Sequence, residues 1–246
     1  MKKSVAVIGQ GFVGGSLTTV FSERGFDVYT YDKMGKQAPG SKHPLIKKGI
    51  STPVESIRQL VEACESIRSF SRVYFVCLPT PMYEDGSADL SIVEGVLDDL
   101  AAAPGERIAV VKSTVPPGST ERWNTKYEST GLRVVFNPEF LTEANALDDM
   151  RNQNRIILGG PRPWVNKVKH VFQSAFPKVP LVKTSSTNAE LIKYFTNCFL
   201  AMKVSFANEM YQLCDALDSQ GLNVDYDRVV ECATLDPRLE IGRAHV

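Results

Sequence analysis

Short apolar runs rich in β-branched residues punctuate the first part of the chain: Val5–Ile8, Val28–Tyr31, Val73–Cys77, Ile108–Val111, Val134–Phe136 and Arg155–Leu158. Each is mostly continuous rather than alternating, which suits strands buried on both faces, as in a parallel sheet. Helical stretches separate most of them. Repeated βα alternation predicts a doubly wound α/β domain over residues 1–183.

The texture then changes. All 14 prolines lie at or before Pro180 except Pro237, and residues 181–220 hold neither Gly nor Pro. Leu191, Phe195, Cys198, Met202, Phe206 and Leu213 recur at near-helical spacing. The pattern predicts one long helix over Asn188–Asp218. Thr187-Asn188-Ala189-Glu190 reads as a capping box at its start, and Gly221 stands where a C-terminal cap falls. Asp225 is placed to cap a short following helix. A helix this long spans between domains or packs on a partner, so residues 184–239 read as a connecting helix and the start of an all-α domain.

Composition narrows the picture. Lys plus Arg and Asp plus Glu are 28 each, giving a formal net charge of zero. That argues against a nucleic-acid partner held by a basic surface. Five cysteines, odd in number and without CxxC spacing, argue against zinc and a disulfide framework. A reducing, cytoplasmic setting follows. The N-terminal apolar run is too short for a signal peptide, and no run is long enough to span a membrane. His43, His170 and His245 have no partner at a recognisable metal or triad spacing. Trp123 and Trp164 read as packing residues, and Cys77, Cys198 and Cys214 as buried structural thiols.

The first chemical motif is Gly9-Gln10-Gly11-Phe12-Val13-Gly14, G-x-G-x-x-G, directly after the first strand and before a helix. Gly9 allows the tight turn, Gly11 the approach of a pyrophosphate, and Gly14 close helix–strand packing. Asp32 lies 23 residues after Gly9, at the end of the second strand. An acid there accepts hydrogen bonds from adenosine ribose hydroxyls and repels a 2′-phosphate. Together these predict a Rossmann-type site for NAD; Lys33, next to Asp32, leaves room for some NADP.

Four further blocks follow in order: Pro79-Thr80-Pro81, Lys112-Ser113-Thr114-Val115-Pro116-Pro117-Gly118, Asn137-Pro138-Glu139-Phe140-Leu141-Thr142-Glu143-Ala144 and the segment Thr187–Asn197, with Asp236-Pro237-Arg238 last. In this order they resemble the UDP-glucose/GDP-mannose dehydrogenase family over residues 3–239. These enzymes oxidise the C6 alcohol of a nucleotide sugar to a carboxylate with two NAD. The resemblance implies that Lys193 and Asn197 hold the sugar oxygen and an active-site water. Four apart on one helix, they share a face, and an ammonium and an amide suit charge developing on oxygen. It implies that Glu143 with Thr114 positions the water that hydrolyses a thioester, that Glu139 supports substrate binding or proton traffic, and that Thr80 and Thr114 contact NAD. Glu139 and Glu143, also four apart, are read in the loop or first turn after a strand's carboxyl end, where two carboxylates on one helix face suit proton transfer and water handling. A nucleotide-sugar substrate, UDP-glucose first, and a homodimer formed through the long helix complete the expectation.

Family members carry a catalytic cysteine in a G-x-C-x-P-K-D segment beyond Asp-Pro-Arg. No cysteine here has that context. Where the family continues Asp-Pro-Arg-Leu with Gly, this chain has Glu240, and Ile241–Val246 spell one reading frame of a common short-read sequencing adapter. Residues 240–246 are therefore expected to be a non-native tail, on a chain truncated before the catalytic cysteine and inactive alone. Two other readings stay open: a short non-catalytic protein that binds NAD or pairs with a relative through the long helix, and another β-hydroxyacid-type dehydrogenase with the same N-terminal fold.

Overall fold

A computed structural model describes residues 3–39, 41–42, 56–68, 70–236 and 239. His43, Pro237, Arg238, His245 and the 240–246 tail lie outside the described residues.

The chain runs β1 (Ser4–Ile8), α1 (Phe12–Glu23), β2 (Asp27–Tyr31), β3 (Ser41–Lys42), α2 (Ile57–Glu65), β4 (Phe70–Val76), α3 (Ser91–Ala102) and β5 (Arg107–Val111). It continues with α4 (Ser119–Lys126), β6 (Leu132–Phe136), α5 (Ala146–Arg151), β7 (Ile156–Gly159), α6 (Trp164–Ala175), β8 (Leu181–Thr184), α7 (Ser186–Ser219) and α8 (Tyr226–Ala233). The eight strands form one sheet in the order β3-β2-β1-β4-β5-β6-β7-β8. All neighbouring pairs are parallel except β6 and β7, which meet antiparallel at Phe136 and Gly159. The doubly wound α/β expectation is met, with one reversal the apolar runs could not signal. A buried strand shows its period and not its direction. The short strand β8, directly after Pro180, was also missed.

Two apolar layers sandwich the sheet. On one face Leu60, Val61, Leu97, Leu100 and Trp123 pack against Tyr74, Val111 and Val134. On the other, Leu17, Val20, Val165 and Phe172 pack against Val7, Phe75 and Val110. Phe21 anchors the second layer, its ring edge-on to Phe26, Phe75, Phe172 and Phe176 at centroid distances of 5.0 to 5.9 Å. Such burial contributes roughly 1.5–3 kcal/mol per large side chain, and it holds the strand ends that carry the chemistry.

The chain forms two compact units, Met1–Lys193 and Tyr194–Val246, and the division falls inside α7. In the second unit the Tyr226 ring stands edge-on to Tyr211 at 5.2 Å, and its hydroxyl donates to the Ala207 carbonyl at 3.2 Å. Gly221, at φ +83°, closes α7, and Asp225 caps α8 by accepting from the Arg228 amide. Phe195, Phe199, Leu200, Met202, Phe206 and Leu213 are exposed. Cys198 is exposed as well, contrary to the expected burial, whereas Cys214 is buried. Among the described residues no helix is long and apolar enough to cross a membrane, and no group of three or more His, Cys, Asp or Glu could hold a metal ion.

Candidate active site at the carboxyl edge of the sheet

The strand order reverses between β1 and β4, and ligands in open α/β sheets bind at the carboxyl edge of such a switch. The glycine turn follows β1 there. Gly9 has φ +88°, and a Cβ on it would lie 2.2 Å from the Cys77 carbonyl oxygen. A Cβ on Gly14 would lie 2.0 Å from the Gly9 carbonyl oxygen. Gly11 differs: nothing lies within 4 Å of its Cβ position, so its space opens outward. Gly11 is also the N-cap of α1 and offers no side-chain cap. The first-turn amides, from Phe12 and Val13 onward, thus begin a helix whose positive end is free to meet an anion. Asp32 sits one residue past β2. Its Oδ2 accepts from the Gln10 amide at 2.7 Å, and its Oδ1 from the Met34 and Lys36 amides at 2.9 and 3.3 Å. The acid is therefore fixed against the turn. Open backbone at Gly11, an uncapped helix start and a placed carboxylate together fit a dinucleotide.

Hydrogen bonds lace the neighbouring strand ends together. The Ser113 hydroxyl donates to the Leu78 carbonyl at 2.7 Å and accepts from the Leu78 amide at 3.1 Å. The Thr80 hydroxyl donates to the Thr114 carbonyl at 2.8 Å, so these two predicted residues do meet. Lys112 Nζ donates to Asn137 Oδ1 at 2.8 Å, and Asn137 Nδ2 donates to the Ile157 carbonyl at 2.8 Å.

Charge gathers at the same edge. Lys193 is only 5% exposed; its Nζ donates to the Glu139 carbonyl and to Glu139 Oε1, both at 2.7 Å. Glu139 Oε2 accepts from the Leu141 amide at 2.7 Å. The Phe140 ring lies between cations, its centroid 4.2 Å from the Arg155 guanidinium carbon and 5.7 Å from Lys193 Nζ. Burial pulls the Lys112 ammonium below its ordinary range, against the opposing pull of Cys77 and Glu139. Burial likewise pushes the Cys77 thiol up to about 12. That thiol is therefore a poor nucleophile near neutral pH. The Lys193 ammonium, buried beside Glu139, is the kind of group that can stabilise an oxygen that becomes negative.

Two expectations fail. Glu139 and Glu143 lie in the loop after the strand, one of the two placements expected, but they share no helix face: Glu139 is in the loop, Glu143 is exposed in a turn, and α5 starts only at Ala146. The Glu139 carbonyl, which a helix would give to the Glu143 amide, is taken by Lys193, and its carboxylate turns back to Leu141. The capping box is not made either. The Ser185 hydroxyl caps α7 by accepting from the Asn188 amide at 3.2 Å. Glu190 is fully buried and accepts from the Gly118 and Thr120 amides at 2.6 and 2.8 Å. Asn197 is exposed and belongs to the second unit. Lys112, Asn137 and Glu190 were missed as functional candidates. They lay inside the quoted blocks, but nothing local distinguished them.

Comparison with known proteins fits this geometry. Residues 3–175 match the UDP-glucose/GDP-mannose dehydrogenase family, NAD binding domain, and residues 187–246 match its central domain. The UDP-glucose 6-dehydrogenase TuaD of Bacillus subtilis is 31% identical, over 98% of this chain and 54% of its own length. The UDP-glucose 6-dehydrogenase AglM of Haloferax volcanii is 30% identical, over 96% of this chain and 59% of its own length. The solved structure of a UDP-glucose dehydrogenase from Pyrobaculum islandicum aligns with a TM-score of 0.72 at 30% identity, covering 97% of this chain and 58% of that one. The chain thus spans a little over half the length of these relatives.

Proposed function

The chain belongs to the UDP-glucose/GDP-mannose dehydrogenase family, and on that premise we propose that it is the N-terminal part of an NAD-dependent nucleotide-sugar 6-dehydrogenase acting on UDP-glucose. In this reading residues 1–183 are the NAD-binding domain, and residues 184–239 are the connecting helix and the start of a helical domain. The observation that carries the reading is the buried Lys193–Glu139 pair on the same sheet edge as the open glycine turn.

Bound NAD supplies a hydride acceptor for the sugar C6 carbon. The turn from Gly9 to Gly14, with Phe12 and Val13, would hold its pyrophosphate and Asp32 its ribose, and Thr80 and Thr114 would contact it. Lys193 stabilises negative charge developing on the sugar oxygen, with Asn197 assisting. Two of its donors go to Glu139, and the third has no partner among the described residues. Glu139 keeps that ammonium in place and accepts or passes a proton. Glu143 with Thr114 positions the hydrolytic water. The nucleophilic cysteine of the second oxidation belongs to a segment outside these blocks, so this chain alone binds NAD without completing the four-electron reaction. The exposed apolar residues of α7 support a homodimer. The five free cysteines support a reducing, cytoplasmic setting. The same exposed face favours a second reading, a non-catalytic NAD-binding protein that pairs with a relative.

Titration calorimetry with NAD and NADP tests the proposal. NAD is expected to bind more tightly than NADP. Gly11→Val is expected to weaken NAD by about tenfold or more, since a side chain would fill the pyrophosphate space, with little change in melting temperature. Adding UDP-glucose is expected to give no sustained NADH absorbance. Failure of the wild-type chain to bind NAD would overturn the reading, and sustained turnover would overturn the assignment of inactivity.

A further inference from the structure

One turn of α7 carries two buried charges of opposite sign. Glu190 is fully buried, and among the described residues it has no cationic partner. Its two carboxylate oxygens go instead to backbone amides 70 and 72 positions away, those of Thr120 and Gly118. These amides start α4, whose N-cap is Gly118, a residue with no side chain to cap it. An unsatisfied helix start and a desolvated carboxylate are each unfavourable alone, and each satisfies the other here. Three residues on, Lys193 reaches in a different direction, to Glu139 on the loop after β6. Positions i and i+3 lie on one helix face, so both anchors act on the same turn.

The packing leaves that turn little freedom. Ala189 is fully buried, and a Cβ on Gly159 would lie 2.5 Å from its methyl group. The turn therefore presses against the end of β7. Slipping a helix by one residue moves it about 1.5 Å and rotates it about 100°. Such a slip would take Glu190 off α4 and Lys193 off Glu139 together.

We propose that Glu190 is a positioning residue: by capping α4 from α7, it sets where the Lys193 ammonium sits against Glu139. The same contact secures the end of the loop that carries Thr114, whose carbonyl is held by Thr80. The consequence for turnover rests on the functional reading above, but the placement of Lys193 does not.

Trace acetylation of lysines, read by peptide mass spectrometry, tests this on the whole chain without cofactor or substrate. Exposed Lys178 serves as the reference and buried Lys112 as the control for general loosening. In the wild type both Lys112 and Lys193 are expected to react slowly. Glu190→Ala is expected to raise the Lys193 rate about tenfold relative to Lys178, as expected when a buried charged hydrogen bond is lost, and to leave Lys112 slow. Glu190→Gln keeps one acceptor oxygen and is expected to fall between. If the alanine variant does not fold, the glutamine variant decides the matter. A parallel rise at Lys112 and Lys193 would show that Glu190 only holds the domain together, and an unchanged Lys193 would show that it holds nothing in place. Either result overturns the proposal. Absent NAD binding would overturn the previous section and leave this result standing.

Discussion

Two buried cation–carboxylate clusters sit at opposite edges of one sheet, and they use their hydrogen-bonding capacity differently. At the amino edge, Arg107 begins β5 and is fully buried. Its Nε and Nη2 donate to Glu65 Oε1 at 3.1 and 3.0 Å. The remaining guanidinium protons go to the carbonyls of Leu100, Ala103 and Pro104. Every donor of the fork is used. At the carboxyl edge, Lys193 gives two bonds to Glu139 and keeps a donor in reserve among the described residues. A saturated cluster can only hold the fold, whereas one with a spare donor can also hold a ligand. Burial alone did not separate the two; the count of satisfied donors did.

The comparison can be broken at either edge. The largest effect is expected from Arg107→Ala, which takes the guanidinium from three carbonyls and leaves Glu65 with the Tyr74 hydroxyl, at 3.4 Å. Removing one partner of a buried pair typically costs about 3–5 kcal/mol. The partial exposure of Glu65 favours the lower end. Denaturant unfolding measures it, and Arg107→Lys should restore only part of the loss because an ammonium lacks the planar fork. Lys193→Met is expected to cost less, about 1–3 kcal/mol, because it removes two hydrogen bonds to Glu139, whereas Arg107→Ala removes the whole guanidinium fork. If Lys193→Met proves as costly as Arg107→Ala, the carboxyl-edge cluster is as structural as the other and the contrast fails.

A smaller, pH-dependent effect sharpens the contrast. Burial holds Lys112 below its ordinary 10.5. Between that lowered value and 10.5 the unfolded chain binds more protons than the folded one, so stability rises with pH in that window. Lys112→Met removes the contribution. Thermal melts at stepped alkaline pH should therefore show the wild type gaining on the variant as pH approaches 10.5. A level difference would mean that Lys112 is solvated well enough to titrate normally.

What could be read along the chain was local. The glycine turn was legible because three closely spaced backbone requirements select glycine, and Asp32 because it follows the second strand directly. Gly221 and Asp225 were legible as caps for the same reason. Errors arose where distant groups competed for a local bond. Glu190 had the spacing of a capping box, but the uncapped start of α4 offered it two amides and a buried site. Glu139 had the spacing of a helix partner for Glu143, but Lys193, 54 residues on, took the carbonyl such a helix needs.

The sequence by itself determined the βα alternation, the glycine turn with Asp32 just past the second strand, the long α7 and the ordered blocks of the family, because periodicity, glycine placement and motif order are properties of neighbours. Only the tertiary structure decided the reversed direction of β7, the bond from Lys112 to Asn137, the buried Lys193–Glu139 pair and the cap that Glu190 lends to α4. Each depends on which desolvated donors and acceptors folding brings within bonding distance, and desolvated groups bond to whatever lies nearest in space, however far it lies along the chain.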